Sequence, residues 1–225
     1  MSQIAIDGPA GVGKSTAAKN IAAKKNFMYV DTGAMYRSIG LACLKAGADL
    51  NDEDSVSNIS ENANIEIKYI DGVQHMYLDG EDVSSRIRQE EVGKAASSVS
   101  KFAAVRSRLV AMQQNLGNRY DVVMDGRDIG TKVLVNADLK IYLTASSACR
   151  AQRRYDELTA KGEKCDFEAI KKDIEERDYN DMNRAISPLK KADDAIELDT
   201  SDMGVDEVAE KIIELFEEKN GSKTC

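Results

Sequence analysis

Gly8, four intervening residues, then Gly13, Lys14 and Ser15 form the densest run of chemistry-bearing residues in this 225-residue chain. Glycines at these positions let successive backbone N–H groups converge on phosphate oxygens, and a helix starting near Lys14 adds its partial positive charge. Lys14 would reach the β and γ phosphates of a nucleoside triphosphate, and the Ser15 hydroxyl would complete the oxygen shell of a magnesium ion. Pro9, Ala10, Gly11, Val12 and Thr16 belong to the same loop. The flanks suit it: Ile4-Ala5-Ile6 is a short apolar run before the turn, and Ser15 to Lys25 supplies helix-forming Ala, Lys and Ile after it.

Such loops occur in motors, GTPases, transporters and small kinases, so the rest of the chain has to choose among them. The N-K-x-D that selects guanine in GTPases is absent. Arginine is the informative residue, because its planar fork pairs two-pronged with phosphate and carboxylate. Ile170, Ile174, Arg177, Asp181 and Arg184 fall on one helical stripe. Its charged end is either a solvated helix end, in which Arg177 pairs with Asp181, or part of an anion site. Arg150, Arg153 and Arg154 share a helical face with the same two readings, the solvated one favoured by nearby Asp156 and Glu157. Gly126-Arg127-Asp128 follows a strand end, where open α/β sheets gather their ligands, and is a tight turn or a ligand contact. Arg106, between Phe102 and Leu109, either snorkels or points into a cleft. Asp31, at a second strand end, and Asp125, just before Gly126, are both placed to support magnesium. His75, the only histidine, is given no role, since phosphoryl transfer depends on positioning and charge neutralisation.

The elements that must position these residues follow an alternating rhythm. Phe27 to Val30 is a strand, Asp31-Thr32-Gly33 a turn and helix cap, and Leu41 and Leu44 lie on a helix that Gly47 ends. Residues 64–84 break the rhythm: β-prone runs separated by Asp71-Gly72 and Asp79-Gly80 predict a small antiparallel meander, an insertion. Val99, Phe102, Val105, Leu109, Met112 and Leu116 predict one helix over 95–116. Strands at 121–124, 139–145 and 195–198 and helices at 146–161, 167–184 and 205–218 complete the chain, with the tail EEKNGSKTC fraying. Alternating strands and helices predict an α/β fold of the P-loop NTPase kind, a parallel sheet covered by helices on both faces.

Composition sets outer bounds. Hydrophobic residues make up 42% and charged residues 31%, as in a globular protein, and no apolar run nears the ~20 residues of a membrane span. With no secretion signal, the chain is expected in the cytoplasm. Cys43, Cys149, Cys165 and Cys225 are scattered and read as reduced thiols. A net charge of -8 disfavours a nucleic-acid polymer as partner.

Four segments, IAIDGPAGVGKST, DTGAMYR, DGRDIGT and ERDYNDMNRAISPL, occur in this order over nearly the whole chain. Together they resemble the bacterial-type cytidylate kinases, a family of P-loop nucleoside monophosphate kinases. The resemblance implies transfer of the γ-phosphate of ATP to CMP or dCMP, giving ADP and CDP or dCDP, with magnesium. It implies that Arg37, Arg127 and Arg184 hold the acceptor phosphate and that Ser97, Arg106 and Asp128 read cytosine. Arg177 and Asp181 would grip the ribose, and Thr32 would contact CMP where the family often has serine. Lys14, Arg127, Arg153 and Arg184 would be catalytic, Arg153 also binding ATP, and Arg150 and Arg154 would accompany it. The implied layout is a single domain, 1–225, with an acceptor-binding region over about 33–100 and a lid over about 146–166; the family suggests a monomer without membrane partners. The competing readings are a P-loop kinase for UMP, AMP or shikimate, and an ATP-dependent switch without transfer.

Overall fold

The computed structural model describes residues 1–221. In chain order the elements are β1 (Gln3–Asp7), α1 (Lys14–Lys25), β2 (Met28–Asp31), α2 (Thr32–Lys45), α3 (Glu53–Asn62), β3 (Ile65–Ile70), β4 (Val73–Leu78), β5 (Glu81–Asp82), α4 (Glu90–Val99), α5 (Ala103–Arg119), β6 (Val122–Gly126), β7 (Leu139–Thr144), α6 (Ser147–Ala160), α7 (Phe167–Asn183), β8 (Ile196–Asp199) and α8 (Val205–Gly221). The helix expected to end at Glu218 thus runs on to Gly221, and the rest of the tail, with Cys225, lies outside the described residues. Cys43, Cys149 and Cys165 are free thiols.

Five strands form a parallel sheet in the order β2-β6-β1-β7-β8. Alternation along β1 sorts its side chains to two faces. Ile4 and Ile6 pack with Ile21 of α1 and Ile212 of α8, while Ala5 joins Val30, Met124 and, from α5, Val110 and Leu116. A strand covered on both sides must be apolar throughout, which is why β1 and β6 read as short unbroken hydrophobic runs. The loops at the carboxyl ends of β1, β2 and β6 are thereby brought side by side, with Asp31 paired in register with Asp125 and Asp7 with Gly126.

A third core lies beside the sheet: Met35 and Ile39 of α2, Val56 of α3, Ile65, Met76 and Leu78 of the meander, and Val105 and Leu109 of α5. The meander is as expected, β3, β4 and β5 being antiparallel neighbours. Asp71, Gly72, Asp79 and Gly80 all have positive φ, as two-residue hairpin turns of the primed type require. It is tied to β2: the Gln74 side chain accepts from the Asp31 N–H at 2.8 Å and donates to the Asp31 carbonyl at 3.4 Å, and Tyr69 Oη donates to the Tyr29 carbonyl at 2.8 Å.

The single helix expected over 95–116 is two helices. Phe102 is extended, with φ -86 and ψ 135, and the chain turns at residues 100–102 between α4 and α5. The apolar spacing survives the break because Val99, Phe102, Val105 and Leu109 enter one core from both helices. The turn also carries the Ser100 carbonyl to Arg106, whose Nη1 donates to it at 3.3 Å. Helix α3 was not anticipated; Asp52 caps it by accepting from Asp54 and Ser55 N–H. Among the described residues no helix is long and apolar enough to cross a membrane.

Helices α2 and α4 approach closely at Gly40, where a Cβ would lie 2.8 Å from the Ala96 backbone nitrogen. Backbone cannot yield as a side chain can, so Gly40→Val is expected to lower unfolding stability by roughly 1–3 kcal/mol, read by denaturant titration.

Candidate active site

The loop between β1 and α1 begins at Gly8, with φ 146, where a Cβ would sit 2.3 Å from the Leu143 carbonyl oxygen. Only glycine lets the loop cross the end of β7 this closely. Inside the loop Lys14 Nζ donates to the Pro9 carbonyl at 2.6 Å. Burial and the neighbouring Arg127 charge push the Lys14 ammonium well below the usual lysine range, against Asp125, Asp7 and Asp181. Ser15 Oγ donates to Asp125 Oδ2 at 2.8 Å, and Tyr29 Oη donates to Asp125 Oδ1 at 2.8 Å. Burial and the Asp31 charge raise the Asp125 carboxyl despite those bonds and Lys14.

Asp31 has a different environment although it stands in register beside Asp125. It caps α2 by accepting the Ala34 N–H at 2.8 Å, and its carboxylate pairs with Arg37 at 2.9 Å and Arg88 at 3.0 Å. Burial would raise its pKa, but the two guanidinium groups and the capping bond outweigh it and hold the carboxyl below the ordinary range. Its oxygens thus serve arginines and a helix cap, whereas those of Asp125 serve the Ser15 and Tyr29 hydroxyls.

Two cavities meet at Gly11, Lys14 and Ser15. The larger, about 600 Å³, runs along Gly11 to Thr16 and is closed by Arg153, Thr200, Met203, Val205 and Val208. Arg153 donates to the Thr200 carbonyl, and the Thr200 hydroxyl lies 3.1 Å from the Thr144 carbonyl. The smaller, about 250 Å³, collects Thr32, Arg37, Ser97, Arg106, Arg127, Asp128, Arg177, Asp181 and Arg184, together with Asp31 and Asp125. Every acceptor-side residue singled out in the sequence therefore lines one space, brought from α2, α4, α5, the end of β6 and α7.

Within it Arg106 Nη2 donates to Asp128 Oδ2, with Arg184 Nη2 3.8 Å from Asp128 Oδ1. Arg127 Nε donates to Asp181 Oδ2 at 2.7 Å. Burial opposes ionisation of Asp181, but Arg127, Arg177 and Arg184 hold its carboxyl below the usual range. Of the two readings of this stripe, the solvated i,i+4 pair between Arg177 and Asp181 is not formed, because Asp181 lines the cavity and meets Arg127 there. The Thr32 hydroxyl donates to the Asp125 carbonyl at 2.7 Å. Arg37 Nε, Arg184 Nη2 and Tyr36 Oη are buried without a hydrogen-bond partner, and all three residues line this cavity. A pocket with spare buried donors beside bonded guanidinium groups is complementary to an anion.

A model of the cytidylate kinase family matches residues 4–218. The chain belongs to the cytidylate kinase family. It is 50% identical over 213 residues to the cytidylate kinase of Caldicellulosiruptor bescii, covering 95% of this chain and 94% of that one. Against the cytidylate kinase of Bacillus subtilis (strain 168) it is 46% identical over 217 residues, 96% and 97% of the two chains. A crystal structure of an uncharacterized protein from Eubacterium ventriosum shares the fold alone, at 12% identity and TM-score 0.52, over 96% of this chain and 98% of that one. The chain is accordingly an enzyme that uses ATP to phosphorylate CMP and dCMP, built on a parallel five-stranded sheet flanked by helices.

The geometry of the site adds residues that the sequence reading passed over. Tyr36 stands next to Arg37 in DTGAMYR, so its neighbour was the available signal; burial pushes its phenol up to about 12. Arg88 joins Arg37 on Asp31, and Ser100 joins Ser97 in the cavity wall. Asp7 accepts from the Ile129 and Gly130 N–H groups; burial raises its carboxyl to about 6 against those bonds.

The clustered arginines of α6 separate. Arg154 is solvated and pairs with Glu157, as the bland reading had it. Arg150 is buried, donating to the Ala10 carbonyl of the phosphate loop at 2.9 Å, to the Ala145 carbonyl at 3.0 Å and to Asp178 at 2.6 Å. Arg150→Ala is expected to cost about 3 kcal/mol of unfolding stability, because it leaves a buried carboxylate unpaired, and Arg154→Ala less than about 0.5 kcal/mol. Denaturant titration of both variants checks this.

Proposed function

We propose that the larger cavity binds ATP and the smaller one CMP or dCMP, so that the γ-phosphoryl group passes between them at Lys14. The observation that carries this is the meeting of the two cavities at Gly11, Lys14 and Ser15, with the arginine cluster on the far side of that junction only. Gly8 to Thr16 cradle the triphosphate, and Arg153, beside Thr200, bounds the donor nucleotide. An oxygen of the acceptor phosphate attacks the γ phosphorus in line, the bond to the bridging oxygen of ADP breaks, and Lys14 follows the moving charge. Arg37, Arg127 and Arg184 hold the acceptor phosphate and, with Lys14, neutralise the transition state. Ser97, Arg106 and Asp128 face cytosine: a hydroxyl, a fork and a carboxylate complement O2, N3 and the exocyclic amine, and a wrong base leaves one of them unpaired. Arg177 and Asp181 take the ribose, and Thr32 lends its remaining lone pairs to CMP.

The oxygen donors Ser15 and Asp125 suit magnesium. Among the described residues no cluster of three or more His, Cys, Asp or Glu forms a protein cage, which accords with an ion held largely by phosphate and water. Ser15 would ligate it and Asp125 would support it, with Asp31 committed to its arginines; when bound, the ion offsets negative charge on the phosphates. We assign residues 33–100 to acceptor binding and residues 146–166 to a lid that excludes water. Because Arg150 anchors the first turns of α6, the moving part is its distal half and the 161–166 loop. The enzyme works as a cytoplasmic monomer on free nucleotides.

Acceptor profiling with ATP and magnesium tests the substrate assignment: CMP and dCMP should exceed UMP, AMP and shikimate in kcat/KM by at least about tenfold, and AMP or shikimate outrunning CMP would overturn it. Lys14→Ala should lower kcat by about 10²–10³ with the KM for ATP changed far less; normal turnover would remove Lys14 from the transition state. Asp181→Ala should raise the KM for CMP and leave that for ATP intact, whereas equal losses would indicate a damaged fold.

A further inference from the structure

Asp7 is the last residue of β1 and directly precedes Gly8, yet its carboxylate, whose charge is felt by Lys14, takes its hydrogen bonds from another loop. It is 4% exposed and stands in register between Gly126 of β6 and Tyr142 of β7. One carboxylate oxygen accepts the Ile129 N–H and the other the Gly130 N–H, each at 2.8 Å. Lys14, the nearby cation, is bonded to the Pro9 carbonyl instead. The two N–H groups open the turn that follows Asp128, and the peptide joining Asp128 to Ile129 carries the first of them. With the Asp128 carbonyl accepting the Lys132 N–H at 2.9 Å, these bonds fix that peptide plane, and with it the Asp128 Cα and the Cα–C axis about which its Cβ is carried. Asp128 in turn lies between Arg106 and Arg184, on residues 106 and 184 that arrive from α5 and the end of α7. The other polar side chain of β1, Gln3, bonds the Gly117 carbonyl, so among side chains of this strand the Asp7 carboxylate ties the strand that feeds the donor loop to the loop that bears Asp128.

We infer that Asp7 is a positioning residue for base recognition: its carboxylate, through the Ile129 and Gly130 N–H groups, holds the 127–130 loop so that Asp128 presents to cytosine. The inference rests on the reading of Asp128 as a cytosine-facing residue. It also makes a specific demand on chemistry, because two parallel N–H donors need two acceptors. Asparagine supplies only one, its amide nitrogen facing the other N–H donor to donor, and alanine supplies none. Losing either bond leaves a buried N–H unpaired and frees the loop, while the donor cavity keeps its walls.

The test measures kcat/KM for CMP and UMP, and KM for ATP, in Asp7→Ala, Asp7→Asn and Asp128→Asn. In Asp7→Ala the KM for CMP should rise and the CMP-to-UMP selectivity fall, each about tenfold, with the KM for ATP within about twofold; Asp7→Asn should fall between it and the parent enzyme. Equal rises in KM for CMP and ATP, as general loosening would give, overturn the inference. An unchanged selectivity in Asp128→Asn overturns the base-reading role beneath it. Lowered selectivity in Asp128→Asn beside unchanged selectivity in Asp7→Ala overturns the positioning role alone. Should Asp7→Ala not fold, the parent enzyme decides: scalar couplings across the hydrogen bonds from the Ile129 and Gly130 amide nitrogens to the Asp7 carboxyl carbon are expected in its NMR spectrum, and their absence is the refuting result.

Discussion

Mutual repulsion among arginines is the constraint around which the acceptor side is built. Arg37, Arg106, Arg127, Arg177 and Arg184 line one cavity of about 250 Å³, and cations so crowded in a low-dielectric space would drive the surrounding elements apart. Asp31, Asp128 and Asp181 hold them. The ties run between elements: Asp31 at the end of β2 takes Arg37 of α2, Asp128 beyond β6 takes Arg106 of α5, and Asp181 of α7 takes Arg127 beyond β6. Charge balance and assembly of the site are therefore one process. The donors left over, Arg37 Nε and Arg184 Nη2, belong to residues of the cavity wall, where an anion would replace repulsion with attraction.

The same logic explains why two neighbouring aspartates behave differently. Asp31 and Asp125 end adjacent parallel strands in register. Guanidinium groups gather on the first and hold its carboxyl low; on the second, the bonds from hydroxyls do not offset burial and the Asp31 charge, and its carboxyl is raised. A parallel sheet delivers its strand ends to one edge whatever their sequence, and the residue on the following turn decides which chemistry each end serves.

How much of this was legible in the sequence depended on how local the cause was. The phosphate loop and the two Asp-Gly turns were readable because backbone sterics within a few residues dictate them. The fold class followed from alternating patterns, and the residues that share the smaller cavity came with the motifs of the family resemblance. Helical spacing left the charged end of α7 open between a solvated Arg177 to Asp181 pair and an anion site, because the partner that decides it, Arg127, lies 54 positions from Asp181. The break at Phe102 was hidden because two helices feeding one core preserve the periodicity of one. Asp7 passed as the lead-in to a glycine loop, since its partners lie 122 and 123 residues further along the chain.

The meander's attachment to β2 has a consequence for solubility. β2 is an outermost strand of the sheet, and an outermost strand offers unpaired backbone groups to any extended chain that meets it. Gln74 occupies both backbone groups of Asp31 and Tyr69 takes the Tyr29 carbonyl, so side chains do there what a sixth strand would do. The meander thus shields the β2 edge from pairing with another chain, and trimming it to make a smaller enzyme would expose a templating edge.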